Sequence, residues 1–469
     1  MTYTLLIDGE RVAGSAELDV INPATGQVFA RAPAADAAQA ERAITAAKRA
    51  QVAWNALGYA GRRPYLEAFA DAIEARAEEI ADTLNRERGG PLAECRREVA
   101  ITVGALRFFA RQVLEDEVIR DNDDELIVAQ RYPQGVVVAI MPWNRPITLL
   151  SFKLGPALIT GNTVIAKPAP TTPLTTLLLG EIAASILPPG VFQTLVDRND
   201  LGALLTSHPD VAHVSFTGST PTGKRVLASA AETLKRFTLE LGGNDAAIVL
   251  DDADVETVAP KIFAAAMINA GQVCYATKRV YAPRNLIDAL SEALATLARK
   301  AKVGDGRDPD TMIGPLQNRM QYEKVLGFLD SVRAEGGTFL AGGEPLPGDG
   351  YFIAPTIVTG LADDARLVRE EQFGPVLPIL PYDDIEEVII RANDSEYGLG
   401  GTIWTSNPKR GIEIGSRIET GTIWINQHLA LPFDVPFGGA KQSGIGLQNG
   451  VDGMEDFTQL RILNARRAP

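Results

Sequence analysis

Beyond residue 135 the chain alternates short, continuously apolar runs with helical segments, and this alternation restricts the folds open to it. An apolar run without a polar side is typical of a parallel strand buried on both faces of a sheet. Residues 172–187 form one of the helical segments between such runs. The order predicts βαβ units and therefore a doubly wound parallel sheet. The runs occupy residues 135–144, 162–168, 190–196, 212–219 and 245–250.

A second series of alternating elements begins near residue 246. A helix leads into residues 268–274, and amphipathic patterns predict further helices near residues 284–301 and 318–335. A chain of 469 residues is also too long for one ordinary hydrophobic core. We therefore predict an α/β protein with two Rossmann-like, doubly wound domains. The strands of the second series are predicted within residues 278–283, 374–380, 400–406 and 421–426.

Two segments fit neither series. Residues 115–134 have the pattern of a charged hairpin, and the alternating tail within residues 446–469 is a candidate for strand addition to another subunit. We expect these two segments to form a small β bridging or oligomerisation unit. The predicted domains are then residues 1–114 with 135–245, residues 246–445, and residues 115–134 with 446–469.

The composition is that of a soluble globular protein, with 46% hydrophobic and 22% charged residues. The formal net charge of −14 argues against binding to nucleic acid or to an anionic membrane. The first residues carry charges where a signal peptide needs an apolar run, and no stretch approaches the roughly 20 apolar residues of a membrane span. We expect a cytoplasmic protein.

Cysteine and histidine are both rare. Two cysteines, Cys95 and Cys274, cannot supply a disulfide framework and are typical of a reducing compartment. Three histidines make a metal site built on histidine improbable, and the ligand count excludes structural zinc. We expect no bound metal.

Seven short motifs follow one another along the chain. They are PWN at 142–144, AKP at 166–168, FTGST at 216–220, LELGGND at 239–245, GQVC at 271–274, EEQFGPV at 370–376 and PFGGAKQSGIG at 436–446. In this order they resemble the aldehyde dehydrogenase superfamily from end to end. The resemblance implies a cofactor domain in the first α/β unit, a catalytic domain in the second, and an active-site tunnel between them. It also implies NAD or NADP as cofactor and a homodimer or homotetramer.

The resemblance identifies Cys274 as the nucleophile. An aldehyde carbon is a poor hydride donor until a nucleophile adds to it, and a thiolate is the strongest nucleophile that a protein has at neutral pH. Its addition gives a tetrahedral thiohemiacetal, which loses hydride readily and leaves a thioester. The other cysteine, Cys95, lies on a predicted helix and is interpreted as structural.

Three further residues match the family's catalytic groups. Asn144 matches the side-chain donor to the oxyanion, with the backbone N–H of Cys274 as the second donor. Glu240 matches the general base that activates water for thioester hydrolysis. Lys153 matches a lysine that relays protons from this base, although a helix lysine paired with a carboxylate remains the alternative.

The cofactor residues are also assigned by resemblance. Gly218 to Gly223 follow a predicted strand and open a helix, where backbone N–H groups stabilise a pyrophosphate. Their spacing departs from the G-x-G-x-x-G pattern of the standard dinucleotide fold, so the spacing alone is not specific. Lys167 matches the adenosine-ribose ligand, Glu371 the acid that holds the nicotinamide ribose, and Phe373 the ring beside it. The full set is Trp143, Lys167, Gly218, Ser219, Gly223, Leu241, Glu371 and Phe373.

Two positions depart from the family pattern. Gln448 occupies a position where a second glutamate is common, and an amide cannot take up a proton at pH 7, so Glu240 is expected to act alone. Pro170 stands where many NAD-preferring relatives have a ribose-binding glutamate. Since that glutamate would also repel a 2′-phosphate, we expect weak discrimination between NAD and NADP.

The substrate pocket is expected around Arg145, Leu149, Val273, Tyr275 and Leu431. Arg145 is the unusual member, because a guanidinium in an apolar tunnel is costly unless it meets an anion or a polar oxygen. The partner is either a group on the substrate or a protein acid such as Asp434. The sequence does not name the aldehyde.

Two other functions compete with hydrolytic aldehyde oxidation. Coenzyme-A-acylating relatives typically lack the base glutamate, so Glu240 argues against that reaction. A non-catalytic binding or structural protein on this scaffold would be expected to have lost Cys274, Asn144 or Glu240, and all three are present.

Overall fold

The computed structural model describes residues 2–467, and its strands form two large sheets and three small ones. The strands are β1 (Leu5–Ile7), β2 (Glu10–Val12), β3 (Ala16–Asn22), β4 (Gln27–Ala34), β5 (Glu117–Asp121), β6 (Glu125–Pro133), β7 (Val136–Ile140), β8 (Thr163–Lys167), β9 (Phe192–Thr194), β10 (Val211–Thr217), β11 (Arg236–Glu240), β12 (Asp245–Val249), β13 (Thr277–Pro283), β14 (Thr338–Ala341), β15 (Thr356–Thr359), β16 (Val376–Tyr382), β17 (Tyr397–Gly398), β18 (Gly400–Trp404), β19 (Thr422–Ile425), β20 (Ala440–Lys441), β21 (Gly444–Ile445) and β22 (Thr458–Arg466).

The helices cover the faces of the two large sheets, and two short 3-10 turns lie at Ala231–Thr233 and Ile268–Gly271. The α-helices are α1 (Ala37–Ala56), α2 (Gly58–Ala75), α3 (Ala77–Arg88), α4 (Leu92–Ala110), α5 (Pro146–Ile159), α6 (Leu174–Ala183), α7 (Gly202–Ser207), α8 (Thr220–Ser229), α9 (Val255–Met267), α10 (Arg284–Lys300), α11 (Arg319–Ala334), α12 (Arg366–Arg369), α13 (Ile385–Asn393), α14 (Pro408–Gly415) and α15 (Gly450–Glu455). No helix within residues 2–467 is long and apolar enough to cross a membrane.

The first large sheet has the order β2-β1-β9-β8-β7-β10-β11-β21. Its five central strands, β9 to β11 in that order, are parallel, and the flanking strands pair antiparallel. Every residue of β7 and β8 is buried, as their continuous apolar runs predict. The predicted doubly wound sheet is therefore confirmed.

The site residues of this sheet collect at one edge. Since β7 pairs with β8 on one side and β10 on the other, the chain winds outward from β7 in both directions. Ligands bind at such a switch point, beyond the carboxyl ends of parallel strands. Asn144 follows β7, Lys167 ends β8, Gly218 follows β10 and Glu240 ends β11.

The second large sheet has the order β14-β15-β16-β13-β12-β18-β19 and is parallel except at β14. It includes β12, so the prediction that placed residues 245–250 in the first series is wrong. A buried apolar run indicates a strand covered on both faces, but both sheets have such strands. Strand β21, within the predicted second domain, instead pairs with β11 in the first sheet.

The small three-stranded sheet has the order β22-β6-β5 and is antiparallel. It confirms the charged hairpin, which spans β5 and β6. The tail strand β22 pairs over nine residues with β6 of its own chain, from Thr458 opposite Pro133 to Arg466 opposite Glu125. The tail therefore completes this chain's own small sheet, and the hydrogen bonds that it makes to β6 are not available to another subunit.

Candidate active site

Cys274 is carried by a tight turn after α9. Asn269, Ala270 and Gly271 follow one another in the left-handed region, at φ of 51°, 55° and 74°. A side chain at Gly271 would place its Cβ 2.3 Å from the carbonyl oxygen of Gly374, so only glycine fits there. The turn brings Cys274 into a cavity between the two large sheets, where its side chain is buried.

A buried polar network fixes this turn, and sequence reasoning missed its two central residues. The Asn269 side chain donates to the backbone oxygens of Asn144, at 3.1 Å, and Gln272, at 3.2 Å. Arg88 in turn donates to Asn269 Oδ1 at 3.1 Å and to the sulfur of Cys95 at 3.3 Å. Cys95 therefore has the structural role expected of it.

Asn144 lies beside the nucleophile. Its amide nitrogen donates a 2.8 Å hydrogen bond to the backbone oxygen of Gln272, two residues before Cys274. A side-chain amide has two N–H donors, so one donor remains for an oxygen in the cavity. Asn144, Glu240 and Cys274 all line this cavity.

Glu240 is a buried carboxyl group without a hydrogen-bond partner among residues 2–467. Burial raises the pKa of Glu240 to about 7, while the adjacent Cys274 thiol and the Lys153 ammonium oppose that rise. Burial also raises the pKa of the Cys274 thiol, and the charge of Glu240 raises it further. The thiol is therefore protonated at neutral pH, next to a carboxyl group that titrates there.

Lys153 is fully buried on α5 and donates a 2.8 Å hydrogen bond to the Thr217 hydroxyl. Burial lowers the pKa of Lys153 to about 7, although Glu240 and Cys274 pull it upward. Lys153 makes no direct hydrogen bond to Glu240, whose oxygens are unpartnered. It therefore acts on Glu240 through space in this arrangement.

The glycines after β10 are tightly packed. A Cβ at Gly218 would lie 2.5 Å from the Phe216 ring, and a Cβ at Gly223 would lie 2.5 Å from the Leu241 side chain. Ser219 is the N-cap residue of α8, and its hydroxyl lies 3.0 Å from that of Thr222 rather than capping a backbone N–H. Pro221 has no N–H, and the N–H groups of Thr222 and Gly223 bond to the Ser219 carbonyl. Within residues 2–467, the N–H groups of Ser219 and Thr220 are therefore left for an anionic group at the start of α8.

Lys167 forms a buried ion pair that the sequence did not predict. Its ammonium lies 2.6 Å from the Asp197 carboxylate, whose other oxygen accepts a hydrogen bond from the Leu201 N–H. The neighbouring Pro170 supplies no carboxylate. Asp197 is therefore the acid next to Lys167 in this chain.

The residues predicted for the nicotinamide end of the cofactor lie close to one another, near Gly243 after β11. They are Glu371, Phe373 and Trp143. Glu371 accepts a 3.0 Å hydrogen bond from the Gly243 N–H, and the Lys278 ammonium lies 4.0 Å from the same carboxylate. The rings of Trp143 and Phe373 pack edge to face with their centroids 5.4 Å apart. The backbone of Gly242 approaches Glu371 so closely that a Cβ would lie 2.7 Å from its Oε2.

The remaining predicted pocket residues all line the cavity that holds Cys274. No ion pair joins Arg145 to Asp434 or to any other acid within the described part of the chain, residues 2–467. Gln448 also lines the cavity, next to the catalytic groups rather than at a distance from them. The lining residues are Asn144, Arg145, Thr148, Leu149, Phe152, Glu240, Val273, Cys274, Tyr275, Leu431, Phe437 and Gln448.

Known proteins resemble this chain along nearly its whole length. The sequence model of the aldehyde dehydrogenase family matches residues 11–463. The chain belongs to the aldehyde dehydrogenase family. It is 38% identical to a betaine aldehyde dehydrogenase of Rhizobium leguminosarum bv. trifolii, with 99% of this chain and 97% of that protein covered.

Solved structures of this family share the fold. The NAD+ complex of an aldehyde dehydrogenase from Bacillus cereus has a TM-score of 0.97 at 36% identity, with 99% of this chain and 97% of that chain covered. The NAD+ complex of betaine aldehyde dehydrogenase from Staphylococcus aureus has a TM-score of 0.97 at 32% identity, with 100% and 96% covered. The chain is thus an NAD(P)-dependent aldehyde dehydrogenase, which oxidises an aldehyde to the carboxylic acid.

The edge of the first sheet fits a dinucleotide cofactor. The start of α8 offers the N–H groups of Ser219 and Thr220. The Lys167–Asp197 pair lies past β8 and β9, and Glu371 approaches from the second sheet and accepts from the Gly243 N–H after β11. The Phe216 ring packs against Gly218 and the Glu371 carboxylate packs against Gly242, so neither position has room for a side chain. These are the donors and acceptors that a pyrophosphate and two riboses require.

Proposed function

We propose that Cys274 is the nucleophile of this oxidation. Its sulfur forms a bond to the aldehyde carbon, and the thiol proton passes to the Glu240 carboxylate, which lines the same cavity. The turn at Asn269 to Gly271 places the sulfur in the same cavity as this carboxylate. The product is a thiohemiacetal whose oxygen carries the developing negative charge.

Asn144 stabilises that oxygen. Its second amide N–H and the backbone N–H of Cys274 are the donors of the oxyanion hole. The network that holds Asn269 against the backbone of Asn144 keeps this side chain in place. Asn144 is a catalytic residue, and Asn269 is a positioning residue.

The cofactor, when bound, supplies the hydride acceptor. We assign the pyrophosphate to Gly218, Ser219 and Gly223, and the adenosine ribose to Lys167. We assign the nicotinamide end to Glu371 and Phe373, with Trp143 and Leu241 packing beside the cofactor. Loss of hydride from the thiohemiacetal leaves a thioester on Cys274.

Glu240 then activates water. Its pKa, raised by burial to about 7, suits a base that must accept a proton near neutral pH. Glu240 first releases to solvent the proton that it took from the thiol. Water then adds to the thioester carbon, and its proton passes to the Glu240 carboxylate. The carbon–sulfur bond breaks, Glu240 returns that proton to the Cys274 sulfur, and the carboxylic acid leaves. The positive charge of Lys153 lowers the pKa of Glu240. Gln448 is an amide and takes up no proton, so Glu240 is the only base in this step. This base favours hydrolysis over transfer to coenzyme A.

We further propose the three-part division of the chain and its assembly. The cofactor unit is residues 1–114 with 135–245, the catalytic unit 246–445, and the bridging unit 115–134 with 446–469. Strand β12 begins one residue before the catalytic unit, and β21 of the catalytic unit pairs with β11 of the cofactor unit. Apolar side chains on the two outer strands of the small sheet are exposed, which favours a homodimer or homotetramer. They are Val118, Ile119, Leu460, Ile462 and Leu463. Two unpaired cysteines favour a cytoplasmic location.

The observation that carries this proposal is the buried Glu240 carboxyl group next to the Cys274 thiol in one cavity. Replacing Cys274 with Ala is expected to abolish the formation of reduced cofactor with any aldehyde, while NAD still binds in a calorimetric titration. Cys95→Ser, which keeps an acceptor for Arg88, is the control, and it is expected to retain turnover. Substantial oxidation by Cys274→Ala would refute the assignment.

A further inference from the structure

One wall of the cavity is built by the first turn of α5. Arg145 is the N-cap residue of this 14-residue helix, and Thr148 lies three residues later, so both side chains are on the same helix face. Both line the cavity that contains Cys274. The guanidinium of Arg145 has neither an ion pair nor a hydrogen bond to any residue between 2 and 467.

Two neighbouring polar groups lack partners as well. The Thr148 hydroxyl and the Gln448 amide nitrogen are buried without a hydrogen-bond partner in the described chain. Thr148 is 7% exposed and Gln448 is 3% exposed, so water does not readily satisfy them. Buried polar groups are normally paired, and unpaired ones in a cavity indicate a ligand that completes them.

The charges around the cavity favour an anion. Apart from the catalytic Glu240, no lining residue is acidic. Arg145 and Arg97 both lie close enough to lower the pKa of the Tyr275 hydroxyl, although burial raises it to about 12 overall. The N-terminus of α5, where the helix dipole is positive, also lies at this cavity and favours a negative charge there.

We propose that the substrate is an aldehyde that carries a carboxylate at its far end. Arg145 binds the carboxylate, with Thr148 and Gln448 as neutral donors to the same oxygens. This inference rests on the proposed role of Cys274, because the cavity is the substrate site only if that thiol attacks the aldehyde. It also separates this chain from relatives named for betaine aldehyde, a cation that Arg145 would repel.

The test compares acidic and neutral aldehydes of matched length. We would measure kcat/KM for 4-oxobutanoate, 5-oxopentanoate and 6-oxohexanoate against butanal, pentanal and hexanal, with betaine aldehyde as the cationic probe. The wild-type enzyme is expected to prefer the acid of the best-fitting pair and to use betaine aldehyde least. A preference for betaine aldehyde, or for the neutral partner in all three pairs, would overturn the proposal.

Substitutions at Arg145 and Arg97 test which side chain binds the substrate carboxylate. Arg145→Gln is expected to lower the ratio of acid to neutral kcat/KM by roughly 10–100-fold, with Arg145→Lys retaining part of it. Arg97→Gln is the matched control, since Arg97 is exposed and its charge is screened by solvent. It is expected to change the ratio by less than about threefold. Equal loss on both substrates in Arg145→Gln, or an equal effect of Arg97→Gln, would overturn direct recognition.

The two proposals fail differently. If the wild-type enzyme oxidises neutral aldehydes and Cys274→Ala does not, the catalytic proposal stands whatever the acid preference. If the acid preference is absent in such an enzyme, only the substrate proposal fails. Binding of succinate, which has the carboxylate but no aldehyde, gives a further readout. Succinate is expected to inhibit the wild type competitively and Arg145→Gln at least about tenfold less well.

Discussion

The ammonium group of Lys167 lies 2.6 Å from the carboxylate of Asp197, and both side chains are buried beyond the ends of the neighbouring strands β8 and β9. Lys167 is therefore already neutralised where the cofactor's adenosine ribose is assigned. A ribose hydroxyl can donate to this carboxylate, whereas a 2′-phosphate would meet a second negative charge. Pro170 alone predicts weak discrimination between the cofactors, whereas this pair predicts a preference for NAD.

We therefore predict a preference for NAD that depends on Asp197. In Asp197→Asn the size of the side chain is kept and its charge is lost, so the affinity for NADP is expected to rise relative to NAD by at least about tenfold. Calorimetric titration of both cofactors without aldehyde measures this ratio. Pro170→Ala is the control and is expected to leave the ratio unchanged. An unchanged ratio in Asp197→Asn would show that another group discriminates.

The activity should depend on pH through Glu240. Because burial raises its pKa to about 7, the carboxyl group is protonated below that pH and cannot accept a proton from water. Under conditions where hydrolysis limits turnover, kcat is expected to fall about tenfold per pH unit below the midpoint and to level off above it.

The charge of Lys153 should shift the pH midpoint at which kcat falls. Its positive charge lowers the pKa of Glu240, so Lys153→Met is expected to shift the acid limb of the kcat profile to higher pH. Lys153→Arg, which keeps the charge, is the control and is expected to hold the midpoint at or below that of the wild type. An unchanged midpoint in Lys153→Met would show that the charge of Lys153 does not set the pKa of Glu240.

Many strands and helices of this fold can be predicted from the sequence because their patterns are local. The apolar runs predict their own strands, and the capping box that begins α1 joins Asp36 to Gln39, only three residues away. Sheet membership is not local. The run at β12 looks like its neighbours in sequence, and only long-range pairing with β13 and β18 places it in the second sheet.

In the candidate site too, some residues can be predicted from local motifs and others cannot. Short motifs around Cys274, Glu240 and Asn144 place these residues in order, and the fold then brings them to one cavity. The Lys167–Asp197 pair joins positions 30 residues apart that no motif links. The contact between Arg88 and Asn269 spans 181 residues. Such partners depend on tertiary packing, so local spacing carries no signal for them.

The central claim is that Glu240 drives the hydrolysis of a thioester on Cys274. In Glu240→Gln, mixed with NAD and an aldehyde, we predict a rapid burst of reduced cofactor followed by turnover slowed by about 100-fold or more. Mass spectrometry of the quenched protein is then expected to show the acyl group on the peptide that contains Cys274. A burst-free reaction with Cys274 unmodified would contradict the account.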